Sequence, residues 1–222
     1  MKRALALASS EPQAYAMGVR GRRDLADLAG KAAIVALFTM MAVRLGIDFL
    51  ETGRLTGLLL VASEALVVVL TVFRRDALEV DRSVRARVLT AIALAGPPLV
   101  RPAHVEPFAS ELFTVGVSAI GLLIVIGGKM SLGRSFGLMP ANRGIVSSGL
   151  YRIVRHPIYL GYLITHAAYL AANPTMWNFL VLATADLGLM ARAVCEEGTL
   201  ARDPEYVAYQ ARVRWRVVPG LF

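Results

Sequence analysis

Six runs of mostly apolar residues, at about 31–50, 55–73, 84–100, 108–128, 157–172 and 175–191, restrict what this sequence can become. Crossing the hydrocarbon core of a bilayer takes about 20 such residues per helix, somewhat fewer when flanking side chains reach to the interface. The expected fold is therefore all-α, a polytopic membrane bundle of about six transmembrane helices. Composition agrees: 56% of the residues are hydrophobic, 18% are charged, and the mean hydropathy is +0.58. A water-soluble chain of this makeup would lack the polar surface to cover itself. The run at 84–100 is the weakest of the six, being short and carrying Pro97 and Pro98. The last two runs are separated only by Asn173, Pro174 and Thr175, a tight turn signal, and read as a helical hairpin.

The loops give the runs a sidedness. Lys and Arg number five before residue 31, five in 74–87, five in 129–155 and five from Arg192 onward. The intervening loops hold only Arg54 and Arg101. Crowded and empty loops alternate as the positive-inside rule requires for an even number of spans, which puts both termini in the cytoplasm. The expected setting is a multi-pass protein of a bacterial inner membrane. The same clustering accounts for the formal charge of +8 without nucleic acid, since no basic helix with polar flanks and no RNA-binding aromatic motif is present. A single cysteine, Cys195, excludes an internal disulfide and a thiolate metal cluster, and no metal is expected. The apolar stretch of "MKRALALASS" is too short for a signal peptide.

Charged residues inside the early runs need partners. Arg44 and Asp48 lie four apart near the end of a run, where they are expected to pair and snorkel. Glu64 lies nearer the middle of its run and is the better candidate to face a ligand.

The organisation reads as an N-terminal four-helix membrane region, 1–128, followed by a core, 129–222, that carries the chemistry. Within the core, 129–155 is a polar insert rich in Gly, Ser and Arg, without a dinucleotide-binding glycine pattern. It leads into "GLYRIVRHPIYLGYL". Pro157 restricts His156 to extended backbone and suits the first turn of a helix, so His156 is expected at the N-cap. The free N–H groups of that turn favour an anion. Where the last run ends, Arg192 and Glu196 share one helix face and Glu197 lies about 100° further round. Paired acids on the arginine-rich side point to a cationic ligand. The stretch "DPEYVAYQARVRW" reads as a capped amphipathic helix, with Tyr206, Tyr209 and Val213 on one face, suited to closing a cofactor pocket.

Together, a Gly-x-Tyr-x-x-x-Arg-His-Pro-x-Tyr-x-Gly block, a hairpin, Arg-x-x-x-Glu-Glu and a Tyr-x-x-Tyr tail resemble the isoprenylcysteine carboxyl methyltransferase family. Phospholipid N-methyltransferases and bacterial thiol methyltransferases form part of the same wider group. The resemblance covers roughly 131–222 and implies S-adenosylmethionine as cofactor. It assigns the cofactor strip to Arg143, Gly144, Ile145 and Val146, and further contacts to Tyr151, His156, Pro157, Ile158, Tyr159 and Glu196. It associates Arg192 with the substrate. One departure is Phe136, which stands where some members carry a polar cofactor contact.

The residue chemistry is compatible with this. Methyl transfer from a sulfonium needs alignment and a dry site more than acid–base power. Glu196 and Glu197 can hold the cationic amino end, and His156 with the following helix N-terminus can hold a carboxylate or shape the pocket. His156 and Arg192 are the candidate catalytic residues. The expected partners are the bilayer and a lipidic or small apolar acceptor: a carboxylate, a thiolate or a phospholipid amine. A nicotinamide-dependent reductase of the membrane sterol type, a small transporter and a membrane-anchored binding protein are the alternatives.

The topology makes a direct prediction. Reporters fused at Asp81 and Gly144 should both signal cytoplasm, and one at Ala103 the opposite side. A cytoplasmic signal at Ala103 would overturn the third span.

Overall fold

The computed structural model describes residues 11–72, 79–80, 83–132, 141–142 and 145–222. Among these, the elements in chain order are α1 (Glu11–Thr52), α2 (Thr56–Val72), β1 (Glu79–Val80), α3 (Val84–Leu99), α4 (Glu111–Leu132) and β2 (Ala141–Asn142). They are followed by a 3-10 turn (Gly149–Arg152), α5 (Pro157–Ala172), α6 (Met176–Leu200) and α7 (Pro204–Arg212). The described chain is helical apart from one antiparallel pairing, with Glu79 opposite Asn142 and Val80 opposite Ala141. Two compact units are distinguished, Met1–Thr39 and Met40–Phe222. The first holds the earlier part of α1. The second holds the rest of α1 and all the elements that follow.

Each of the six apolar runs is helical, and three of the helices, Ala32–Thr52, Glu111–Leu132 and Met176–Leu200, are long and apolar enough to cross a membrane. The other three, α2, α3 and α5, have 17, 16 and 16 residues. At about 1.5 Å per residue they rise only about 24–26 Å, short of the roughly 30 Å of hydrocarbon in a typical bilayer. The prolines expected to weaken α3 sit in its last turn, where the Val100 N–H still reaches the Pro97 carbonyl at 3.3 Å. The helix starts follow the capping chemistry of the sequence. Ser83, Thr175 and Asp203 each accept a backbone N–H of the first turn, and Pro157 and Pro204 occupy first-turn positions that have no N–H partner to lose.

Two sequence expectations are corrected. Arg44 and Asp48 do not pair with each other. Arg44 donates to the Val100 carbonyl at 2.8 Å, while Asp48 takes the guanidinium of Arg54 at 2.8 Å. The chain beyond each helix end supplies a closer partner than the next turn does. Lys129, counted with the polar insert, is instead buried within α4. The expected boundary at 128/129 thus falls inside a helix.

The hairpin closes as anticipated, and its turn also holds the segment after α3. Asn173 accepts the Ala103 N–H at 2.9 Å, and Asn178 bonds both the N–H and the carbonyl of Arg101 at 2.9 Å. Helix α5 packs on α4 through glycine. A Cβ on Gly161 would lie 2.7 Å from the Gly121 carbonyl and 2.9 Å from the Val125 nitrogen. Only hydrogen at both positions permits this backbone approach, the small-residue contact that packs helices in lipid.

A methyl group at Gly161 would meet backbone that cannot rotate away. Gly161→Ala should cost about 1–3 kcal/mol by overpacking. Gly116, with nothing within 4 Å of its Cβ direction, is the control. Gly116→Ala should leave the thermal midpoint unchanged or raise it, since glycine weakens a helix interior by about 0.5–1 kcal/mol. Equal midpoints for the two variants would contradict the contact.

Candidate functional site

The site is assembled from the two ends of the hairpin and the chain that follows it. Gly149 has φ +58, a conformation that favours glycine, and a Cβ there would strike the Ser131 side chain. That glycine starts the 3-10 turn that buries Tyr151. The chain then runs through Val154, Arg155 and His156 alongside the C-terminal segment. Val154 bridges Trp215 in parallel fashion, and the N–H groups of Arg155 and His156 donate to the carbonyls of Trp215 and Arg216 at 2.9 and 2.7 Å. His156 takes the N-cap position of α5, as its place before Pro157 requires, but its side chain does not cap the helix. Its ring stacks on Tyr159, with centroids 5.1 Å apart and planes 10° from parallel.

Tyr159 is the point where the predicted residues meet. The Arg192 guanidinium lies 5.6 Å from its ring centroid, in cation–π range, and its hydroxyl donates to Glu196 at 2.8 Å. Among the described residues, that hydroxyl is the hydrogen-bond partner of Glu196, which remains partly exposed. Ile158 and Pro157 pack against Gly128 of α4. Ile145 and Val146 pack against a cluster of Tyr151, Tyr206, Tyr209 and Val213, so the amphipathic helix presents its apolar face as the sequence anticipates. The Tyr209 hydroxyl closes this cluster by donating to the Tyr151 carbonyl at 2.8 Å. Burial pushes the Tyr151 phenol well above its ordinary range, with the nearby Glu196 carboxylate adding to the shift. Tyr206 and Tyr209 are raised by burial in the same way, so the phenols stay neutral near pH 7. Arg143 and Gly144 lie outside the described residues, as does Phe136.

Glu197 is used differently from its expected role. Its carboxylate, 4% exposed, takes Arg155 Nε at 3.1 Å and His156 Nε2 at 3.2 Å on one oxygen. The other oxygen takes Arg216 Nε at 2.9 Å and the Gln210 amide at 3.4 Å. Both of its oxygens are thus engaged by the protein, whereas Glu196 is partly exposed. A buried carboxylate is tolerable only when paired and hydrogen-bonded in this way. Gln210 and Arg216 were not singled out in the sequence, and Arg155 entered only as the arginine of the Arg-His-Pro block. The alternation of arginines in "RVRWR" was the available signal, since it suits a chain lying extended along a partner.

Comparison with known proteins bears on the same region. Residues 120–202 match the family model of the isoprenylcysteine carboxyl methyltransferase (ICMT) family. No curated protein matches the chain. The matched stretch runs from within α4 to the start of the segment leading into α7, and includes His156, Tyr159, Arg192 and Glu196.

The role of Glu197 is testable apart from any ligand. Glu197→Ala strands buried positive charge and releases the tail, with an expected cost of about 3–5 kcal/mol. Limited trypsin digestion should then cut at Arg212 and Arg214 faster than in the wild type. A native midpoint and an unchanged digestion pattern would contradict the junction.

Proposed function

Taking residues 120–202 as a segment of the isoprenylcysteine carboxyl methyltransferase family, we propose that the chain is an integral membrane methyltransferase that uses S-adenosylmethionine. In this reading it spans the bilayer six times, with both termini in the cytoplasm. The acceptor is lipidic or small and apolar and reacts as an anion, carboxylate first and thiolate second, with a phospholipid amine third.

The observation that carries the reading is the grouping around Tyr159 of a guanidinium, a partly exposed carboxylate and an aromatic stack. These residues fit the charges of the cofactor. Glu196, whose described partner is one tyrosine hydroxyl, has an oxygen to offer the amino end. In the N-terminal turn of α5 the Tyr159 and Leu160 N–H groups bond the His156 carbonyl, which leaves the Ile158 N–H for the carboxylate end. Ile145, Val146 and Tyr151 supply apolar and aromatic surface for the rest, with Arg143 and Gly144 completing the strip by resemblance. When bound, the cofactor supplies a methyl group on a sulfonium with a neutral leaving group. The protein then has to align and desolvate. Arg192, buried beside Tyr159, orients an anionic acceptor, in bidentate fashion if it is a carboxylate. The apolar part of the acceptor lies in the lipid.

The cofactor should stabilise the purified protein by linkage, about 2.7 kcal/mol at a hundredfold excess over its dissociation constant. Glu196→Ala should diminish that shift, and an unchanged shift would remove Glu196 from the site. Arg192→Lys keeps the charge and loses the planar fork. It should leave the cofactor shift intact and lower turnover by about 100-fold, the scale of losing one preorganised donor. The assay is transfer of labelled methyl to a prenylcysteine analogue, a thiol and phosphatidylethanolamine. Activity confined to the amine, or a fully active lysine variant, would sink the assignment of the acceptor.

A further inference from the structure

Along the middle of the helices, buried charged groups answer one another. His166 of α5 donates through Nδ1 to Asp186 Oδ1 of α6 at 2.6 Å and faces Glu64 of α2 at 3.6 Å. Lys129 of α4 reaches the Ser63 carbonyl at 3.3 Å and stands 5.2 Å from the Tyr162 ring centroid. Polar contacts of this kind hold helices together in lipid. The tyrosine cluster beside the Tyr159 site is different. Tyr206, in the first turn of α7, is 3% exposed, and its ring lies 5.6 Å from that of Tyr209 with planes 56° apart. Tyr151, Val213 and Leu200 pack around the same pair.

Two neighbouring phenols are paired. The Tyr209 hydroxyl donates to the Tyr151 carbonyl at 2.8 Å, and that of Tyr159 to Glu196 at 2.8 Å. The Tyr206 hydroxyl is buried without a hydrogen-bond partner among the described residues. Phenylalanine would fill the same space without the penalty of an unpaired polar atom, so the hydroxyl calls for a partner that arrives with a ligand. The position of the cluster says which part of a ligand comes there. Leu200, which packs against it, lies four residues beyond Glu196 on α6, on the same face and about 6 Å further along. The turn that buries Tyr151 leads directly to His156 and Tyr159. A cofactor with its amino end at Glu196 therefore has its opposite end against the tyrosines. Aromatic and apolar surface with an occasional polar atom suits a flat nucleobase, whose faces take apolar contact and whose edge takes a hydrogen bond. A ribose, polar all round, asks for more than Tyr206 supplies.

We propose that the cluster of Tyr151, Tyr206 and Tyr209 seats the adenine of the cofactor, and that the Tyr206 hydroxyl donates to the edge of that ring. The proposal rests on the methyltransferase reading above and adds a residue of α7 to the cofactor site. Burial keeps the Tyr206 phenol neutral near pH 7, so the hydroxyl has its proton to give. Binding then satisfies a group that the free protein leaves unpaired. It also ties α7 to the chain before α5 through the ligand, alongside the bond from Tyr209 to Tyr151.

The test is calorimetry on full-length protein in nanodiscs with S-adenosylhomocysteine, 5′-methylthioadenosine, which lacks the amino and carboxylate groups, and the 2′,3′-dideoxy form of the latter. Tyr206→Phe should weaken all three by about the same factor, roughly fivefold to tenfold for one hydrogen bond. Glu196→Ala should weaken S-adenosylhomocysteine alone. Without ligand, the thermal midpoint of Tyr206→Phe should equal or exceed that of the wild type, because the substitution removes an unpaired polar atom. A lower midpoint shows a hydroxyl already bonded within the protein or to a lasting water, and overturns the proposal. So does a Tyr206→Phe protein that binds as the wild type does or loses affinity for S-adenosylhomocysteine alone. A factor that vanishes with the dideoxy ligand puts the hydroxyl on the ribose and overturns the adenine assignment. In each of these cases wild-type binding of S-adenosylhomocysteine leaves the methyltransferase reading intact. No saturable heat from S-adenosylhomocysteine with the wild type overturns both.

Discussion

The carboxylate of Glu197 is the interaction on which the arrangement of the site depends. It sits nearly out of solvent between Arg155, His156 and Arg216, and so joins the chain before α5, the end of α6 and the C-terminal segment. Isolated, such a charge would be among the costliest groups to bury. Enclosed by cations, it fixes the imidazole of His156, and His156 in turn stacks on Tyr159. Tyr159 then presents its face to Arg192 and its hydroxyl to Glu196. The placement of Tyr159, Arg192 and Glu196 therefore follows from a carboxylate whose two oxygens are both taken up by the protein.

A second constraint is the apolar setting. Helices in lipid gain little from burying apolar side chains against one another, so close backbone approach and polar contacts hold them. Gly121 and Gly161 bring α4 and α5 together, and this contact sets the spacing at which Lys129 and Tyr162 meet further along the same pair. At the other end of the hairpin, Asn173 and Asn178 satisfy the backbone of the segment after α3, which would otherwise be left with unpaired groups. Polar contacts among the described residues thus gather at the helix ends and around His166.

Helix positions were legible in the sequence because hydropathy and capping are local. Pro157 and Asp203–Pro204 mark the starts of α5 and α7, and the apolar face of Tyr206, Tyr209 and Val213 follows from helical spacing. What was not legible depends on which helices become neighbours. Arg44 and Asp48 looked like a pair by spacing, yet each finds its partner on chain beyond a helix end. Glu197 looked like a ligand group beside Glu196, and its partners come from the chain before α5 and from the returning tail. His166 and Asp186 gave no signal separately. Glu64 did, as a charge in mid-run, and its partner proved to be a histidine from another helix. Lys129 passed for a loop residue because a single cation at the end of an apolar run is what snorkelling produces.

Calorimetry on detergent-purified full-length protein tests the central claim most directly, by titrating S-adenosylmethionine and NADPH into separate samples. The account predicts a saturable, single-site heat for S-adenosylmethionine and none for NADPH. Saturable binding of NADPH with no heat from S-adenosylmethionine would contradict it, and would return the Tyr159 site to the reductase alternative.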